Sequence, residues 1–272
     1  MELSSGKSNR AIVTMRISAV ATAVHCSSET TDSSRIMQPI QGIAHVQPTV
    51  APTLVSIEGN IGVGKSTLLA SLTVLFKSDA ASVVFVTEPV HEWEEHGLLE
   101  ALYSGTISGA VFQMMVLATR FRCLNAALRL PGVKIVVAER SLFSDQIFAD
   151  VNLSGIDLVA YRTAWRANVD SLPDFKLCVL LIDLPPSALQ NRIRLRGRKS
   201  EEAGTALTEA YLERLDKAHE KYYDGLPLDV EKLRIQGCKD KNQIAMAADN
   251  LIRRLLEEHS TATPKQKCHW AW

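Results

Sequence analysis

"SIEGNIGVGKST", residues 56–67, decides the reading of this chain. Four residues separate Gly59 from Gly64, Lys65, Ser66 and Thr67 follow at once, and the apolar run "TLVSI" leads in. An apolar strand that enters a glycine-bounded loop ending in Lys-Ser is the pattern of a phosphate-binding loop. In that pattern the backbone N–H groups of Gly59, Asn60, Ile61, Gly62, Val63 and Gly64 surround a polyphosphate, and Lys65 reaches its outer phosphates. The loop implies a bound nucleotide. It leaves open whether the phosphate goes to water, to a protein or to a small molecule.

Outward from the loop, apolar runs alternate with helical stretches. A helix is expected from about Lys65 to Phe76, and a second strand in "SVVFVTE", ending at Glu88. A long helix is expected in "AVFQMMVLATRFRCLNAALRL", stopping before Pro131-Gly132. Further strands are read in "KIVVAE" (ending at Glu139), "KLCVLLID" (ending at Asp183) and "LRIQ", before a last helix from about Asn242 to His259. The strands are apolar on both faces, as parallel strands covered on both sides must be. The expected fold is therefore α/β, a doubly wound parallel sheet with helices on both faces. In such sheets ligands sit at the carboxyl ends of the strands, and Glu88 in "TEPV" and Glu139-Arg140 in "AERS" fall there with the loop. A lone carboxylate at a strand end is often a helix cap. Two carboxylates and an arginine around a phosphate loop point instead to a shared active site.

Lys and Arg number 30, as do Asp and Glu, so the net charge is zero. No global basic field recruits nucleic acid or a membrane surface, and no apolar run has the length of a bilayer span. The five cysteines (Cys26, Cys123, Cys178, Cys238, Cys268) form no C-x-x-C or paired framework, which fits free thiols in a reducing compartment. His91 and His96 lack metal-ligand spacing and are expected at the surface.

From this point the chain resembles the deoxynucleoside kinase family. The resemblance rests on "IEGNIGVGKST", "EPVHEW", Phe112-Gln113, "ERSLFSD" from Glu139 to Asp145, and "RIRLRGR" from Arg192 to Arg198, in that order over roughly Leu54 to Tyr223. It implies an ATP-dependent kinase that phosphorylates the 5′-hydroxyl of a small-molecule deoxynucleoside, acts as a homodimer and needs Mg²⁺. Lys65 and the loop would hold the donor phosphates, with Ser66 and Glu139 on the metal. Glu88 is the expected base, with Glu139 as the alternative, and Arg140 would position the hydroxyl and the incoming phosphate. Arg192 and Arg196, four apart on one helix face, would close with Arg198 over the transferring phosphate as an arginine-rich lid.

The resemblance also assigns the substrate residues. Gln113, Arg120 and Asp145 would read the base; Trp93 would wall its pocket; Tyr103 and Glu202 would hold the sugar 3′-hydroxyl. The family members with Arg and Asp at these positions resemble the deoxycytidine and deoxyguanosine kinases, so deoxyguanosine, deoxyadenosine or deoxycytidine is expected. An ionised Asp only accepts hydrogen bonds, which suits an exocyclic amine or a guanine ring N–H, whereas thymine would turn a carbonyl towards it. The alternatives are a thymidine or thymidylate kinase and a non-catalytic nucleotide-binding subunit. "DQIFAD" is one residue shorter than the family's stretch, which would turn Phe148 by about 100° away from a stacking position.

The expected organisation is an extension over residues 1–52, a kinase domain over 53–260 and a polar tail over 261–272. Lys7, Arg10 and Arg16 in a Ser-, Thr- and Ala-rich stretch have the composition of a mitochondrial transit peptide. A cytoplasmic chain with a plain extension is the alternative. If residues 1–52 are an address, a tagged full-length chain is expected in mitochondria by microscopy. A chain starting at Thr53 should stay in the cytosol with undiminished activity.

Overall fold

The computed structural model of the protein describes residues 50–197 and 207–261, all within one compact unit. Arg198, Glu202, residues 1–49 and the tail beyond Thr261 lie outside the described residues. Strands β1 (Thr53–Glu58), β2 (Val83–Val86), β3 (Ile135–Glu139), β4 (Lys176–Asp183) and β5 (Glu231–Gln236) pair in the order β2-β3-β1-β4-β5, all parallel. Helices α1 (Lys65–Leu75), α2 (Val90–Glu95), α3 (Leu98–Tyr103), α4 (Gly109–Leu128), α5 (Leu142–Asn152), α6 (Gly155–Asp170), α7 (Pro186–Arg196), α8 (Glu209–Asp224) and α9 (Lys241–Thr261) cover it. The doubly wound α/β fold expected from the sequence is the one observed.

Side-chain alternation divides the core. Val55 and Ile57 of β1, with Val137, Leu180 and Ile182, pack on Leu68, Leu69 and Leu72 of α1 and on Ala248, Ile252 and Leu255 of α9. Leu54, Val136, Val179 and Leu181 face the other way, onto Leu117 and Leu124 of α4 and Tyr161 and Trp165 of α6. A smaller cluster of Trp93, Leu99, Phe112 and Val116 joins α2, α3 and α4 beyond the sheet. The run expected to reach Glu88 stops at Val86, which pairs with Ala138, one residue before β3 itself ends. Glu88 therefore stands on a short turn between β2 and α2.

Register places the chemistry. β1 and β3 are neighbours with Ile57 opposite Glu139, so the loop leaving β1 runs beside Glu139 and Arg140. Gly59 turns the chain out of β1 at φ 134°, and a Cβ there would run into the carbonyl oxygen of Ile182 on β4. Gly59→Ala combines a disfavoured backbone with that clash. It is expected to lower stability in urea denaturation by at least roughly 1–3 kcal/mol, the cost of such strain alone.

Candidate active site

The loop from Gly59 to Gly64 ends at the amino terminus of α1, with Gly64 at φ 108° in the cap position. The free N–H groups of that first turn and the helix dipole make the place attractive to anions. Asn60 spends its side chain on structure. Its Oδ1 accepts from Ile61 N at 2.8 Å, and its Nδ2 donates to Leu212 O on α8 at 2.8 Å. Lys65 is buried, and its Nζ donates to the carbonyls of Gly59 (3.1 Å) and Asn60 (2.9 Å). Burial, aided by the charge of Arg140, pushes its pKa down to about 7.

Beside the loop, Ser66 Oγ donates to Glu139 Oε1 at 2.7 Å. Glu88 sits apart from that pair. Arg120 Nη2 donates to its Oε1, and Arg140 Nε lies 3.7 Å from the same oxygen. Burial pushes the Glu88 carboxyl up, but Arg120, Arg140 and Lys65 outweigh it and hold the group below its usual range. The two glutamates thus have different partners: a hydroxyl on the first turn of α1 for Glu139, two guanidinium groups for Glu88.

Lys65, Glu88, Glu139 and Arg140 open into a cavity of about 490 Å³. Trp93, Tyr103, Gln113, Arg120 and Asp145 line it as well. Gln113 and Arg120, two turns apart on α4, are both buried and face the same way. Trp93 is held by Nε1 donation to Thr119 Oγ1 at 3.0 Å and by edge contact with Phe112, ring centroids 5.8 Å apart. Asp145, from the first turn of α5, forms an ion pair with Arg120. Arg120 serves Glu88 as well as Asp145. Asp145 Oδ2 and Gln113 Oε1 are buried with no hydrogen-bond partner among the described residues.

Phe148, three positions after Asp145, is on the same helix, α5. It lines the cavity, with the Arg140 guanidinium 4.4 Å above its ring. His91 and His96 are exposed, as expected.

A second cavity of about 420 Å³ lies across the loop, lined by Gly64, Thr67, Arg192, Gly237, Lys239 and Lys241 among others; it shares Gly62, Ser66 and Arg196 with the first. Arg192 and Arg196 do lie on one helix, α7, but Arg192 does not face the first cavity. Its Nη1 donates to Val63 O (3.0 Å) and its Nη2 to Gly237 O (2.9 Å), clamping the loop to the turn after β5. Arg198, expected in a lid, and Glu202, expected at the sugar, lie outside the described residues. Sequence reasoning missed Tyr211 and Arg214 of α8 and Asn152, which donates to Tyr211 Oη at 3.2 Å. The strong apolar and polar faces of α8 were the available signal for that helix.

A parallel sheet with a phosphate loop on its central strand, and two carboxylates and an arginine at adjoining strand ends, defines a nucleotide-dependent phosphotransferase. The family model described as deoxynucleoside kinase matches residues 55–257, and the chain belongs to that family of ATP-dependent nucleoside kinases. It is 31% identical over 216 residues to the thymidine kinase of Ictalurid herpesvirus 1 (strain Auburn), covering 75% of this chain and 86% of that protein. With the mitochondrial deoxyguanosine kinase of Xenopus laevis it shares 28% identity over 199 residues, 61% of this chain and 71% of that one. Its fold matches a deoxyadenosine kinase from M. mycoides solved with dCMP and dCDP, with a TM-score of 0.60, 25% identity and coverage of 74% and 99%. These relatives are named for three different nucleosides, so their names do not choose a base.

Sharing one buried cation between two carboxylates has a measurable consequence. Arg120→Met leaves both Glu88 and Asp145 short of a partner and is expected to cost roughly 3–5 kcal/mol in chemical denaturation. Adding Asp145→Ala should recover part of that loss but not all, because Glu88 still lacks Arg120.

Proposed function

We propose that the protein transfers the γ-phosphate of ATP to the 5′-hydroxyl of a deoxynucleoside and prefers deoxyguanosine, deoxyadenosine or deoxycytidine. The observation that carries the base preference is Asp145, a buried carboxylate on the cavity wall with one oxygen against Arg120 and the other lacking a donor. An exocyclic amine or a guanine N–H supplies that donor. The matching edge of thymine presents a carbonyl and leaves that oxygen without a donor, a cost of roughly 1–3 kcal/mol.

In this reading the donor triphosphate lies on the loop and in the second cavity, and the nucleoside lies in the first. Glu88, kept ionised by its arginines, accepts the proton of the 5′-hydroxyl as that oxygen attacks the γ-phosphorus. Arg140 orients the hydroxyl and meets the incoming phosphate; Lys65 and the loop N–H groups hold the donor phosphates. The hard oxygens of Ser66 and Glu139, side by side at the loop, suit Mg²⁺, which usually binds through one or two carboxylates plus phosphates. When bound, the ion supplies positive charge to the phosphates. That leaves Glu88, not Glu139, for the base. For a homodimer, the support is exposed apolar residues on two helices that pack together, Val111, Met114 and Met115 on α4 and Ile156 and Val159 on α6. We also propose that residues 1–52 are a mitochondrial address.

The test is a panel of the four deoxynucleosides with ATP and Mg²⁺, scored for 5′-monophosphate. Thymidine is expected to give the lowest kcat/KM, and a wild-type preference for thymidine would reject the base assignment. On the best substrate, Glu88→Gln should lower kcat by roughly two to four orders of magnitude with a smaller change in KM. Should Glu88→Gln keep most turnover while Glu139→Gln loses it, the base is Glu139.

A further inference from the structure

Arg140 is the one residue other than glycine with a positive φ among the described residues, 66°, on the turn out of β3. A left-handed backbone at a long side chain is costly and persists only where the surroundings enforce it. Several groups do so here. Arg140 N donates to Ile57 O at 3.1 Å, fixing the turn to β1. Its guanidinium lies over the Phe148 ring. Its Nε faces Glu88, and its Nη1 approaches two further buried side chains that do not line the cavity: Glu58, with Oε2 at 4.0 Å, and His219 of α8, with Nε2 at 3.2 Å.

The hydrogen bonds of His219 determine its tautomer. Nδ1 lies 2.7 Å from the Leu215 carbonyl, which can only accept, so Nδ1 carries the proton. Nε2 then presents a lone pair, the only state in which it can accept from a guanidinium. Burial and the adjacent charge of Arg140 push the imidazole pKa down to about 3, so the ring stays neutral throughout the working range. The choice of a neutral acceptor has a physical consequence. A carboxylate in hydrogen-bond range would compensate the arginine's charge, and a charge needed by a phosphate would be spent inside the protein. Glu58 stands farther off, and its Oε1 is occupied by the hydroxyls of Ser56 and Ser141. Burial pushes its carboxyl above the usual range, against the pull of Arg140. His219 thus fixes one end of the guanidinium without adding a further negative charge to those of Glu88 and Glu58.

We infer that His219 is a positioning residue for phosphoryl transfer, holding Arg140 Nη1 through its Nε2 lone pair so that the guanidinium keeps its aim into the cavity. The inference rests on the role proposed for Arg140. It concerns the transition state more than nucleoside binding, so it should appear in kcat and much less in KM.

Two conservative replacements separate the ring's two bonds. His219→Asn keeps a donor near Nδ1 for Leu215 O and loses the acceptor for Arg140. His219→Gln can place an amide oxygen near Nε2 and loses the bond to Leu215. The expected result is that Asn lowers kcat by about tenfold to a hundredfold, the worth of one hydrogen bond to a charged group. KM for the nucleoside should change by less than about threefold, and Gln should recover most of the kcat. Combining His219→Asn with Arg140→Lys should be little worse than Arg140→Lys alone, as for residues acting as one unit. If Arg140→Lys lowers kcat but His219→Asn does not, the inference is wrong and the reading of Arg140 stands. If Arg140→Lys is itself silent, that reading fails and takes the inference with it. Should Asn and Gln both lose activity in proportion to a drop in Tm, His219 only packs the core.

Discussion

A carboxylate stays ionised at a site that excludes water only where nearby charge offsets the desolvation, and Glu88 stands where burial opposes ionisation. The rest of the site follows from the answer to this problem, two arginines brought to one side of it from separate elements. Burial alone would drive the carboxyl upward; the two guanidinium charges reverse the sign. Each arginine then needs support of its own. Arg120 is fixed between Glu88 and Asp145, and Arg140 among Phe148, His219 and Glu58. The site is a continuous charge network in which each arginine touches more than one acidic or aromatic partner.

The sheet makes this network affordable. Parallel pairing brings three strand ends to one edge, so the loop after β1, the turn after β2 and the turn after β3 converge without any long connection. The helices behind them supply dry walls. Leu68, Leu69 and Leu72 anchor α1 so that its amino terminus holds the loop in place, while Trp93 and Phe112 fix the far wall of the cavity. The same buried walls raise the cost of any unpaired charge and strengthen every pair that is made.

The phosphate loop, the parallel strands and the long α4 were legible because each is encoded locally. Gly59, Gly64 and Lys65 are a fixed spacing, the strands are short apolar runs, and Gln113 and Arg120 share a face by helical period. The short helices α2 and α3 were not legible: six residues give less than two turns of pattern, and Pro89 and Gly97 interrupt them. The polar α6 has only Tyr161 and Trp165 fully buried, too few to declare a period.

The sequence by itself determined that this chain builds a parallel sheet around a phosphate loop and carries the residues of a nucleoside kinase, because spacing and apolar pattern are properties of neighbouring residues. Only the tertiary structure decided how charge is shared. Arg120 serves two carboxylates, Arg192 clamps backbone on the far side of the loop, and His219 reaches Arg140 from 79 positions away in the chain. The physical reason is that a buried charge takes its partner from whatever element packs against it, and that choice is made by the core and the strand order, which no local spacing records.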